Sequence, residues 1–115
     1  MSTAAARNRG HKLMPAELEA KLPPLYATEA VAPDEKPVVV KLFSPYTNWR
    51  WYVVEGERHD GDLVMFGFVT SPNCPEGEWG YVSLDELEAL TAMAGQLPLV
   101  ERDLHWAGKT ISDRP

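Results

Sequence analysis

The charged run Glu101-Arg102-Asp103, followed by His105 and Trp106, is the stretch whose residue types could most readily do chemistry. In an extended strand, alternation places the two carboxylates on one face and the guanidinium on the other. Arg102 can then pair with a carboxylate across a sheet, or present its planar fork to a partner. The ion pair is the commoner arrangement. The run nevertheless supplies three candidate binding residues, Glu101, Arg102 and Asp103.

A second candidate site is aromatic. Residues 48–55 alternate so that Trp49, Trp51 and Val53 share one face of a predicted strand. The two indoles can anchor a core, or they can form an exposed surface for a protein partner or a nucleobase. The apolar strands available to cover them favour the core. We take Asn48, Trp49 and Trp51 as candidate binding residues.

The sequence holds no residue constellation typical of an enzyme or a metal site. The three histidines are scattered, without the spacing of a zinc site. Cys74 is the only cysteine, which excludes an internal disulfide, and it has no basic neighbour that would activate the thiol. Paired acids such as Glu76 and Glu78 could act as acid and base, but nothing around them indicates a desolvated carboxyl. We predict no catalytic residue, no metal and no cofactor.

Charge is distributed unevenly along the 115 residues, whose formal net charge is −6. The first thirteen residues carry three basic side chains and no acid, whereas the remainder has eight basic against seventeen acidic residues, a formal charge of −9. An acidic body repels phosphates, so direct nucleic-acid binding by the folded part is disfavoured. The charge suits a basic protein partner or a mimic of nucleic acid, although in most acidic proteins it only promotes solubility.

Hydrophobic patterning predicts an α+β fold: an antiparallel meander sheet of four or five strands, one main helix packed on one face, and a short N-terminal helix. The predicted strands are residues 38–43, 49–55, 63–69, 79–82 and 100–106. Within the third strand, Gly67 is expected to mark a bulge or a close approach of another group.

Two helices are predicted. Residues 14–22 combine helix formers with an early proline, and Pro23-Pro24 ends them. The main helix begins at a capping box on Ser83, carries apolar residues at helical spacing through Ala94, and ends at Gly95. We predict a disordered basic tail over residues 1–13, a single domain over 14–107 and a flexible tail over 108–115. No apolar run is long enough to cross a membrane, and we expect a cytoplasmic protein.

Five ordered blocks of the sequence resemble a family of small single-domain proteins of unknown function, domain of unknown function 2958, carried by bacterial plasmids, phages and integrative conjugative elements. The blocks are residues 22–29, 40–43, 48–52, 80–88 and 100–106. The resemblance implies that the gene is encoded near genes for conjugation, partition and antirestriction functions. It assigns no catalytic or ligand-binding residue. The positions that match the family's pattern are Glu29, Asn48, Trp49, Trp51, Tyr81, Glu101, Arg102 and Asp103.

We therefore expect a non-enzymatic accessory protein of a mobile genetic element that binds another protein through an aromatic and acidic surface. A specific form is an inhibitor of a host defence or restriction nuclease, with the acidic body replacing phosphate charge. The alternative is a small enzyme or small-ligand-binding module that uses Arg102 and neighbouring acids, which requires a concave pocket beside an exposed Arg102. A third possibility is nucleic-acid binding by the sheet aromatics together with the basic tail.

Overall fold

The computed structural model describes residues 4–115; residues 1–3, the start of the predicted tail, lie outside the described part. The strands are β1 (Val40–Phe43), β2 (Arg50–His59), β3 (Asp62–Ser71), β4 (Cys74–Ser83), β5 (Thr91–Ala92), β6 (Leu97–Pro98) and β7 (Glu101–Arg102). The helices are α1 (Ala4–Arg9), α2 (Ala16–Glu19) and α3 (Leu84–Ala89), and 3₁₀ turns lie at Pro33–Glu35 and Ile111–Asp113.

Five strands form one antiparallel sheet in the order β4-β3-β2-β1-β7. Strands β1 to β4 follow one another as a meander, and β7 returns to the opposite edge, where Arg102 pairs with Leu42 of β1. The predicted α+β class and antiparallel sheet are thus confirmed. Strands β5 and β6 form a separate two-stranded ribbon.

Both faces of the sheet bury apolar side chains, because β2 and β3 are apolar at successive rather than alternate positions. The main core lies on one face and consists of Leu13, Met14, Val40, Leu42, Trp51, Val53, Leu63, Met65, Leu84, Leu87 and Val100. The other face, here called the aromatic face, holds Val38, Tyr52, Val54, Phe68 and Ile111, with Phe66, Trp79 and Trp106 packed against them.

The prediction of one main helix is wrong, since no helix within residues 4–115 exceeds the six residues of α1 and α3. The predicted start is correct: the Ser83 hydroxyl accepts a hydrogen bond from the Glu86 amide (3.2 Å) and caps α3. Helical backbone ends at Leu90, which is extended at ψ 104°. The helix therefore covers only about half of the predicted span.

A hairpin replaces the second half of that predicted helix. β5 pairs with β6, and Met93 and Ala94 in the intervening turn have positive φ values of 55° and 56°. The amide of Leu99 also donates to the Leu90 carbonyl (3.0 Å). The residues of this hairpin can thus form backbone hydrogen bonds across a ribbon, which the helical spacing of apolar residues does not reveal.

Both ends of the described chain contact the sheet. The N-terminal segment predicted as a tail contains α1, whose Ala5 is fully buried, and Leu13 of the same segment lies in the main core. Near the C-terminus, Thr110 bridges to Pro37, and Ile111 is buried on the aromatic face. Residues on both sides of the predicted domain therefore complete its two cores.

Gly67 lies where β2 is irregular. The pairing of β2 with β3 runs from Val53 opposite Gly67 to Glu55 opposite Phe66, so Val54 is an extra residue in a β-bulge. A Cβ atom on Gly67 would lie 2.3 Å from the Tyr52 carbonyl oxygen, a distance that real contacts do not reach. The bulge requires a glycine at this position.

We predict that Gly67→Ala lowers the free energy of unfolding by roughly 1–3 kcal/mol, because the new methyl group must displace β2 backbone. Gly80→Ala is a matched control: Gly80 pairs with Gly67 across the strands, but nothing lies within 4 Å of its added Cβ. That change should stay within about 0.5 kcal/mol of wild type. Urea unfolding measures both, and equal stabilities for the two variants would contradict the close approach.

Candidate functional site

The β2 bulge decides which side of the sheet receives Glu55. Strict alternation from Trp51 and Val53 would place this carboxylate in the main core. The extra residue shifts the pattern, so Glu55 pairs with Phe66 and lies on the aromatic face. An acidic side chain is thereby buried among aromatic rings, with only 3% of its surface exposed.

The Glu55 carboxylate holds the segment that follows α2. One oxygen, Oε1, accepts a hydrogen bond from the Tyr26 amide (2.8 Å). The other, Oε2, accepts from the Thr28 amide (2.9 Å) and from the Thr28 hydroxyl. Tyr26 has a positive φ of 73°, a left-handed conformation that costs energy for a tyrosine and that these bonds help to fix.

Glu55 stays ionised in this position. Burial opposes the charge, but the hydrogen bonds from the Thr28 hydroxyl and amide and from the Tyr26 amide, helped by the positive charge of Lys36, outweigh it and lower the pKa of Glu55. The Lys36 ammonium is itself buried, and it donates hydrogen bonds to the Thr28 carbonyl and to Thr28 Oγ1 (3.1 Å). Thr28 thus links the two buried charges.

Aromatic rings line the space beside this charged cluster. Phe66 stacks on Trp79 with ring centres 5.4 Å apart, and Tyr81 tilts against Phe66 at 5.0 Å. A hydrogen bond with Tyr26, together with burial and the negative charges of Glu55 and Glu29, raises the pKa of Tyr81, so the phenol remains neutral. The negative charges of both carboxylates therefore reach Tyr81, the outermost of these aromatic rings.

Together these residues form a cleft of about 270 Å³, here called the aromatic cleft. Its lining consists of Tyr26, Glu29, Pro33, Lys36, Glu55, Phe66, Trp79 and Tyr81. Two carboxylates against one ammonium leave it one negative charge, and the side chains of Tyr26 and Tyr81 are more than half exposed. Electron-rich ring faces beside a carboxylate attract a cation. The cleft can therefore accommodate a positively charged group.

The predicted tryptophan site divides between core and surface. Trp51 is buried in the main core, whereas Trp49 is 38% exposed and stacks on it with ring centres 5.8 Å apart. Asn48 precedes them in a left-handed conformation (φ 59°). The two indoles help to line a second, mainly apolar depression of about 240 Å³ with Ser44, Thr47, Leu90, Leu99 and Val100.

The predicted charged run contacts its own chain. Arg102 Nε donates to the Lys12 carbonyl (2.9 Å), which holds the N-terminal segment against β7. Asp103 forms an ion pair with Lys41 (3.2 Å), so the residue of this run that makes an ion pair across the sheet is Asp103. Glu101 lines a shallow depression of about 340 Å³ with Arg9 and other residues.

The predicted site residues do not form one site. Tyr81 lies on β4 and Glu101 and Arg102 on β7, at opposite edges of the sheet. Trp51 points into the main core, on the other face from Tyr81. Only Tyr81 of the predicted set lines the aromatic cleft, and Glu29 was noted for its match to the family pattern.

The residues that sequence reasoning missed are Tyr26, Lys36 and Glu55. Lys36 stands between two prolines in a segment that reads as a polar connection. Only a bulge at Val54 places Glu55 in the cleft. The one available signal was Gly67, which indicated an irregularity in the neighbouring strand.

Residues 4–115 contain no group of three or more histidine, cysteine or acidic side chains arranged to hold a metal ion. Of the helices described, none has the length and apolar character to cross a membrane.

Comparison with known proteins shows the family. Residues 13–113 match the family described as protein of unknown function (DUF2958), and since the match spans most of the chain, the chain belongs to this family. Neither curated proteins nor solved structures gave a match. The resemblance noted in the sequence is thus confirmed at the level of the family, and its association with mobile elements stays a prediction.

We predict that Glu55→Gln lowers the free energy of unfolding by roughly 1–3 kcal/mol at pH 7, because the amide cannot accept from all three donors and leaves Lys36 without its countercharge. The folded-state pKa of Glu55 is lowered, so its contribution is present above the unfolded value of about 4.3 and is lost as pH falls through the folded value. The gap between the two proteins should narrow in acid.

Urea unfolding of both proteins between pH 7 and pH 3 measures this gap. Glu57→Gln is the control, since Glu57 is less buried, accepts a long hydrogen bond from the Leu25 amide (3.3 Å) and otherwise contacts the exposed His59 side chain (3.0 Å). Its effect should be smaller than that of Glu55→Gln. A gap for Glu55→Gln that does not change with pH would contradict an ionised, hydrogen-bonded Glu55.

Proposed function

We propose that this DUF2958 protein is a non-enzymatic accessory protein of a bacterial mobile genetic element, and that it acts in the cytoplasm by binding a basic protein. The observation that carries the binding proposal is the aromatic cleft, where exposed Tyr26 and Tyr81 stand beside Glu29. The mobile-element context comes from the family resemblance. The cleft would receive a lysine or arginine side chain of the partner.

The rest of the aromatic face supports a cation as the ligand. Three of the chain's own cations already lie over its rings, at 4.4–5.9 Å from the ring centres. These contacts are Lys41 on Tyr52 and Trp106, Arg114 on Phe68, and Lys36 on Trp79. Within the described chain, none of these contacts involves Tyr81 or Tyr26, so the row of rings ends in an acidic opening.

Glu55 supports binding over catalysis. A general base needs a free lone pair aimed at its substrate. Both oxygens of Glu55 accept hydrogen bonds from Tyr26 and Thr28, and its pKa is lowered rather than raised towards neutrality. This carboxylate is suited to fixing the cleft wall and to giving the cleft negative charge.

A basic partner fits the proposed role as an inhibitor of a host defence system. Proteins that handle nucleic acid present lysine and arginine to phosphates. The acidic residues Glu76 and Glu78 are exposed on β4, the strand that carries Tyr81, and add negative charge to this edge of the sheet. A protein that binds there would have its basic residues occupied by carboxylates instead of phosphates.

Calorimetric titration with a short lysine-containing peptide, against the same peptide with norleucine in place of lysine, tests the cleft. We predict that Tyr81→Ala weakens binding of the lysine peptide about five- to thirtyfold, the value of a cation–π contact of about 1–2 kcal/mol. Tyr46→Ala is the matched control, because Tyr46 and Tyr81 are equally exposed, at 56% and 55%, and Tyr46 does not line the cleft.

Two acidic residues provide a second pair of test and control variants. Glu29→Gln removes the exposed charge of the cleft, whereas Glu17→Gln removes an exposed charge from α2. Binding should weaken more in Glu29→Gln, and the difference should shrink with added salt. Equal affinities across either pair of variants, or equal binding of the norleucine peptide, would overturn the cleft as the binding site.

A further inference from the structure

The two edges of the sheet differ in how they are covered. At one edge, β7 has only two residues, and the Arg102 amide donates to Nε2 of His11 (3.1 Å), so the N-terminal segment covers this edge. At the other edge, β4 is ten residues long and pairs only with β3. Among the backbone-to-backbone hydrogen bonds that residues 4–115 make outside their helices and strand pairings, none involves a residue of β4. One long edge of the sheet is therefore open.

The open edge has two different halves. The first half contains Pro75 and the exposed acids Glu76 and Glu78, which discourage pairing with another strand. Gly77 interrupts it in a left-handed conformation (φ 81°) beneath the Phe68 ring. In the second half, residues 79–82 pair regularly with β3 and carry neither charge nor proline.

We infer that residues 79–82 of β4 bind an extended, basic segment of the partner as an added strand of the sheet. This inference rests on the proposed function, because the aromatic cleft supplies the pocket for one side chain of that segment. The free amide and carbonyl groups of an edge strand bind a peptide backbone, and side-chain pockets alternating along it give specificity. A Cβ atom added at Gly80 would meet nothing within 4 Å, so no other group of the described chain covers this part of β4 on the face to which that atom would point.

The geometry of strand pairing brings the partner's side chain to the cleft. A residue paired directly opposite Tyr81 would share its face of the sheet, with Cβ atoms about 4.5–5.5 Å apart. Tyr81 lies on the aromatic face beside Phe66. A lysine or arginine at that position would extend along the Tyr81 ring towards Glu29.

Amide hydrogen exchange, read residue by residue by NMR, tests strand addition. The probe is a short peptide that alternates lysine with valine, with the parent protein and Tyr81→Ala compared at equal saturation. On binding, alternate amides among residues 79–82 should exchange at least tenfold more slowly, because the added strand protects those that faced solvent. Unchanged exchange in the saturated complex would overturn strand addition.

Two N-methylated versions of the peptide give an independent readout. Methylating alternate amides blocks one edge of the peptide and leaves the side chains and charge intact. We expect methylation of one edge to weaken binding about tenfold or more and methylation of the other edge to have little effect, since only one edge pairs with β4. Equal binding of the two methylated peptides would overturn strand addition.

The outcomes separate this inference from the proposed function. Binding that depends on Tyr81 and Glu29 without protection of β4 would leave the proposed function standing and refute the added strand. Binding with β4 protection that is indifferent to Tyr81 and Glu29 would refute the cleft, and with it this inference. Protection of β4 in the free protein that grows with protein concentration, with a dimer in sedimentation, would assign the edge to a second copy of the chain and overturn the inference.

Discussion

The cleft depends on one buried carboxylate whose place is set by a one-residue irregularity of the backbone. Val54 is the extra residue that moves Glu55 from the main core to the aromatic face. There Glu55 accepts hydrogen bonds from Tyr26 and Thr28, which brings a connecting segment down onto the sheet. Without the bulge, the carboxylate would lie among aliphatic side chains without these donors, an arrangement that costs several kcal/mol.

The aromatic face is held together differently from the main core. The main core is aliphatic except for Trp51 and excludes charge. On the aromatic face, Lys41 lies between the rings of Tyr52 and Trp106 and pairs with Asp103, so cations act as packing elements. Rings and ammonium groups attract each other through the ring quadrupole, and a long lysine stem adds apolar contact. An additional cation at the open end of this face, as we propose, would use the same kind of contact.

Sequence patterning predicted the sheet because the strands alternate or are continuously apolar, and both patterns are local. It failed for the main helix because the Leu84, Leu87 and Leu90 spacing continues the helical period past the true end. The pairing of β5 with β6 is decided by contacts between segments, and spacing within one segment does not report them. The cap at Ser83 was predictable for the opposite reason, since a capping box is complete within four residues.

The cleft was harder to predict than the sheet because contacts between segments that are distant in sequence form it. Tyr81 could be selected by its family pattern, but its partners come from three distant parts of the chain: Tyr26 and Lys36 from connecting segments, and Glu55 from beyond a bulge. The charged run at Arg102 was the stronger candidate binding site in the sequence. In the structure, Arg102 instead holds the N-terminal segment, and Asp103 forms an ion pair with Lys41. Polar residues that are adjacent in sequence can each have a structural partner, whereas the acidic aromatic opening arises only when separate segments meet.

The two edges of the sheet differ because a distant segment of the chain covers one of them and not the other. Closing the β7 edge required the N-terminal segment, whose Leu13 also completes the main core, so covering that edge and filling the core are one event. No comparable segment crosses β4 in the described chain, and the exposed Tyr81 and the open space at Gly80 lie there. An edge strand left open beside an acidic aromatic cleft joins backbone pairing and side-chain recognition at one place. A basic, extended segment is the ligand that we propose for this place.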